Sequence, residues 1–207
     1  GQLTSNTHKS LDPVSELFYA ALRYARGVGN VEAYSDLSGA TEEQQLKFVD
    51  GFPVITDWDN PIISYCQKNV ALGIGDVNTH VDKNLPGNTA YRHREPTMPA
   101  EVAADDWIDV VRATNKVGAL EGLGNIGNSN NWSGRDNSAF IAGLAYIANT
   151  TDLQPDMQGI QTLSTFWVDV QEAQVLRPPA SNQYYLATKY GGFRVPDGFD
   201  PYERSEP

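Results

Sequence analysis

The residues best suited to chemistry lie in "NVALGIGDVNTHVDKNLPG", Asn69 to Gly87, where a short apolar run ends on Gly75 and Asp76. Asn78, Thr79, His80 and Asp82 follow at once, so several oxygens gather behind one carboxylate. That set suits a hard cation such as Ca²⁺ or Mg²⁺, which takes carboxylate, amide and hydroxyl oxygens. A carboxylate after a strand can also cap a turn. A third use of Asp76, His80 and Asp82 is metal-dependent hydrolysis. The dinuclear form of that chemistry needs several His and Asp residues from separate strand ends. The chain has three histidines, His8, His80 and His93, and no paired-His segment.

Other chemistries lack their signatures. There is no Gly-x-Ser-x-Gly elbow, no Gly-Lys-Ser/Thr phosphate loop and no Cys/His metal spacing. "GLGNIGN" has the rhythm of a nucleotide loop but follows a helical segment, which leaves a flexible loop as its reading. "YSDLSGAT" begins like the Asp-x-Ser-x-Ser metal motif, but Ala40 replaces its second Ser and no hydrophobic strand precedes it.

The positions of these residues depend on the elements around them. The 207 residues suit one large domain with a tail. A 40% apolar content with four Trp, ten Tyr and seven Phe can build a core. The net charge of −11 argues against nucleic acid, whose phosphates need a basic face. No run reaches the roughly 18 apolar residues of a membrane helix. Residues Gly1 to Ser10 are polar and carry no signal peptide. Cys66 is the single cysteine, either a buried inert thiol or half of a disulfide to another segment.

"LDPVSELFYAALRYARG" predicts a helix with Asp12 as N-cap, Pro13 in its first turn and Gly27 as its stop. Its apolar face is Val14, Leu17, Phe18, Ala21, Leu22 and Ala25. Residues 28–60 read as loop with a short strand at Phe52–Ile55. Val70–Ile74 reads as a parallel strand buried on both faces, with Asp76 at its carboxyl end. Further helices are expected over Ala104–Ala119, Ser138–Ala148 and Gln183–Lys189, and a strand over "IQTLSTFWVDV". The polar stretches at about 28–60, 77–101 and 121–137 read as loop insertions, and the tail over 196–207 as linker. The class is α/β with a mainly parallel sheet flanked by helices.

In order along the chain, "DPVSELFYAALRY", "DGFPVITDW", "CQKNVALGIGDVNTH", "DKNLPG", "FIAGLAYIANTTDLQPD", "TFWVDVQE" and "NQYYLATKYGGF" resemble one known family. It is the von Willebrand factor A (vWA)-like region of the type IV pilus tip-associated proteins of the PilY/PilC type. The resemblance covers about residues 10–195. It implies a non-enzymatic protein at the pilus tip or outer cell surface, acting in pilus assembly and adhesion. Its partners would be other pilus subunits, the rest of the same protein, and a host or abiotic surface ligand. A secreted metal-dependent hydrolase using Asp76, His80 and Asp82 is the alternative.

In vWA domains three loops hold a divalent cation. The resemblance puts Asp76 on the third loop and Asp12 where a Thr is expected on the second. The first loop, and the central strand that carries it, are missing between residues 1 and 195. Residues 1–195 then form an incomplete vWA-like domain. A strand from outside residues 1–207 is expected beside Val70–Ile74, with a possible disulfide partner for Cys66.

Overall fold

The structure is a computed structural model that describes residues 12–49, 52–89, 95–132, 136–170 and 179–192. The tail from Val195, and with it the linker at 196–207, lies outside the described residues, as do His8 and His93.

Helix α1 spans Val14–Arg26 and closes on Gly27, whose left-handed φ of 66° lets its N–H reach the last turn. Val14, Phe18, Tyr19, Leu22 and Ala25 form its buried face. Leu17, at 68% exposure, and Ala21 face outward, so the apolar stripe is wider than the core it serves. Pro13 occupies the N-cap position without a side-chain cap. The expected cap, Asp12, turns its carboxylate to His80 instead.

Two short helices follow, α2 (Glu32–Ser35) and α3 (Glu42–Phe48), the second opened by a Thr41–Gln44 capping box. No strand forms at Phe52–Ile55, whose residues are exposed. Pro53 lacks the N–H that a ladder needs.

Strand β1 (Asn69–Gly75) runs parallel to β2 (Leu163–Asp169), in the register Leu72↔Phe166 and Gly73↔Trp167. These two strands are the whole sheet among the described residues. The expectation that Val70–Ile74 is buried on both faces fails. Val70, Leu72 and Ile74 are 59%, 65% and 68% exposed, because helices cover only the opposite face.

Of the helix expected over Ala104–Ala119 only α5 (Val110–Glu121) forms, and a separate short helix, α4 (Ala100–Ala103), precedes it. Asp105 diverts the chain by accepting bonds from Tyr19 Oη at 2.6 Å, Arg26 Nη1 at 2.8 Å and the Trp107 amide. Asp109 then caps α5 through the Arg112 amide at 2.9 Å.

Helix α6 (Phe140–Thr150) is apolar around most of its circumference and buried throughout, as such a helix must be. It packs on α1, α5, β2 and the last helix, α7 (Gln183–Gly191), which Asn182 caps. Two of the expected loop insertions also enter the core. Val77, Asp82, Lys83, Asn84 and Leu85 are buried, as are Ile126 and Gly127 of a 3-10 turn in the "GLGNIGN" segment. The Asn115 side chain accepts the Gly127 amide at 2.8 Å, which satisfies that buried backbone.

Candidate functional site

A cleft of about 700 Å³ opens between the start of α1 and the carboxyl end of β1. Val14, Leu17 and Ala20 of α1 form one wall, and Ile74 to Asp76 form the other. Trp167 of β2 and Tyr184 of α7 also line it, stacked with centroids 4.2 Å apart. The indole fits because Gly73 has no side chain, and its Nε1 donates to the Gly75 carbonyl at 3.2 Å.

Asp12, Glu16 and Asp76 bring three carboxylates to this cleft. Each already serves the fold. The Asp12 carboxylate contacts His80 Nδ1, and the Asp12 carbonyl accepts the His80 amide at 3.3 Å. Asp76 Oδ1 accepts the Asn78 amide at 2.8 Å, the turn-capping role open to a carboxylate here. Tyr184 Oη donates to the Asp76 carbonyl at 2.7 Å. Glu16 Oε1 accepts the Asn84 amide at 2.9 Å. Burial pushes the Glu16 carboxyl up to about 8, and the Glu95 and Asp82 charges push the same way against the Asn84 amide.

Asp82 does not belong with them. It is fully buried and takes the Ser15 hydroxyl at 2.6 Å and the Ser138 amide at 2.7 Å. Ser15 Oγ in turn accepts the Ile141 amide at 3.1 Å, and Ser138 Oγ accepts that of Phe140 at 3.1 Å. These bonds cap the start of α6, which lacks a cap from its own N-cap residue, Ala139. Burial raises Asp82 above the usual carboxylate range, and the Ser15 and Ser138 donors pull it back.

Of the candidate site residues, the structure thus brings Asp12, Asp76 and Thr79 to one cleft, with His80 on Asp12, and puts Asp82 in the core. Cys66 is exposed, not the buried thiol that a lone cysteine suggests. Asp36, of the "DLSG" segment, accepts the Ser38 amide at 2.8 Å in a local turn. Glu16, Trp167 and Tyr184 escape a sequence reading. The one available signal is the glycine at position 73 within β1, whose missing side chain leaves room for a large ring.

Among the described residues no group of three or more His, Cys, Asp or Glu is arranged to hold a metal ion. Asp12 and Asp76 supply two carboxylates to the cleft, and each is already engaged, one with His80 and the other with the Asn78 amide.

The fold and cleft thus define a mixed helix-and-strand domain with a small, open parallel sheet, its carboxylates committed to structural bonds. The family model for the second domain of PilY1 homologues matches residues 4–163, and the chain belongs to that family. It is similar to a type IV pilus biogenesis factor PilY1 homolog of Xylella fastidiosa (strain Temecula1 / ATCC 700964), at 47% identity over 215 residues. The match covers 99% of this chain and 18% of that relative. No solved structure matches.

Proposed function

We propose that this chain is a non-catalytic domain of a type IV pilus-associated protein, exposed at the pilus tip or outer cell surface. It acts in pilus assembly and in adhesion. Its partners are other pilus subunits, the remaining polypeptide of the same protein, and a host or abiotic surface. Its architecture is vWA-like, with α1 and β1 as the retained parts of that design.

The observation that carries this reading is the 47% identity, over nearly the whole chain, to a protein called a type IV pilus biogenesis factor. The site geometry agrees with it. The carboxylates that would make a hydrolase are engaged in holding loops and helix ends, and Asp82 is out of reach of the cleft.

An in-frame deletion of residues 12–192 in the natural host tests the proposal. Piliation by electron microscopy and attachment to a surface should both drop. Normal pili and normal attachment in the deletion strain would overturn it. Incubating the purified protein with a phosphoester and Mg²⁺, Ca²⁺ or Mn²⁺ should give no turnover. Turnover that disappears in Asp76→Ala would restore the hydrolase reading.

A further inference from the structure

The side of α1 that faces away from the core borders a second hollow, of about 570 Å³. Leu17, Ala20 and Ala21 of α1 line it with Ile55, and Leu17 and Ile55 are 68% and 67% exposed. Tyr24 and Trp58 form an aromatic corner there, with ring centroids 5.6 Å apart and planes at 78°. The Trp58 indole donates to the Ile55 carbonyl at 2.9 Å, which holds the ring in place.

Asp57 and Asp59 flank the same corner, and both are exposed. Neither carboxylate takes a hydrogen bond or an ion pair among the described residues. Two acceptors, two rings and an aliphatic wall are the complement of a cation on an apolar stem. An anion would be repelled, and a metal ion gains nothing from the aliphatic wall.

The chain uses the same combination within its own fold. Arg26 lies 4.2 Å from the Trp107 ring centroid while its Nη1 donates to Asp105 at 2.8 Å. One guanidinium there meets an indole and a carboxylate at once. Trp58, Asp57 and Asp59 repeat the indole and the carboxylate, and no Lys or Arg lines their hollow.

We propose that this hollow binds an arginine side chain of a partner protein. Its guanidinium sits on the Tyr24–Trp58 corner against Asp57 and Asp59, and its stem lies over Leu17 and Ile55. Arginine suits the corner better than lysine, because a planar, weakly hydrated guanidinium stacks on rings and forks onto carboxylates. The net charge of −11 draws in a partner with a basic face and repels a second copy of this chain. The inference concerns the chemistry of the ligand and stands or falls separately from the pilus reading.

The test uses the full natural polypeptide and a photo-reactive peptide, acetyl-Gly-Arg-Gly-(p-benzoyl-Phe) amide. After irradiation, mass spectrometry should place cross-links within residues 17–24 and 55–59. The citrulline version of the peptide keeps the shape without the charge, and should label those residues about 10-fold less. Tyr24→Leu, and Asp57→Asn combined with Asp59→Asn, should each reduce that labelling about 5-fold. The double Asn variant should melt with the parent, since neither carboxylate bonds to the rest of the described residues. Equal labelling by the citrulline peptide overturns the proposal, as does labelling that the variants leave unchanged. So does labelling only at other residues, the outcome expected if the protein's own chain fills the hollow.

Discussion

Gly73 lies beneath the indole of Trp167 so closely that a Cβ at position 73 would sit 1.9 Å from ring atom Cζ3. The two residues are also register partners across the parallel pair, so the clash falls directly between neighbouring strands. Gly73→Ala must push Trp167 off Tyr184 or part the strands. Overpacking of this kind costs about 1–3 kcal/mol. Urea unfolding should show that loss, and Trp167→Leu in the same chain should recover part of it.

Glu16 predicts a pH dependence. Its folded-state carboxyl titrates near 8 against an ordinary value of 4.5. Between those values the folded chain holds a proton that the unfolded chain has released, so stability falls as pH rises. The slope approaches about 1.4 kcal/mol per pH unit at most. Glu16→Gln keeps the acceptor for the Asn84 amide and removes the titration. Denaturation midpoints at pH 5 and pH 8 should differ less in that variant than in the parent.

Asp82→Ala should cost about 2–3 kcal/mol, because it leaves the Ser138 amide and the Ser15 hydroxyl without their buried acceptor. Asp82→Asn should cost less, having kept one oxygen. Thermal melts of Asp82→Ala, Ser15→Ala and the double variant would test the pair, and near-additive losses would show that the two groups do not act together.

Exposed Cys66 should react with a thiol reagent in the folded chain at a rate that denaturant barely changes. In the full natural polypeptide the same thiol should become reactive only after reduction if another segment pairs with it. Counting free thiols before and after reduction checks both statements.

Local pattern was enough to reveal α1, α6, α7 and both strands. The apolar period of Val14, Phe18 and Leu22, the Gly27 stop and the β-branched run into β2 act within a few residues of chain. The expected length of the helix from Ala104 was wrong because Asp105 is claimed by Tyr19 and Arg26, 86 and 79 residues away. The candidate site divides the same way. Asp76 at the carboxyl end of β1 was legible from "GIGD", as a local transition from strand to turn.

The amino-acid sequence by itself determined the class, the main helices, the parallel pair of strands and the family. Only the tertiary structure decided which carboxylates share the cleft, that Asp82 caps α6 through Ser15 and Ser138, that Cys66 is exposed, and that the outward residues Val70, Leu72 and Ile74 of β1 stay exposed. Propensity and period act between neighbours, whereas burial and capping depend on partners such as Ser15 and Ser138, 123 residues apart, whose meeting no local pattern encodes.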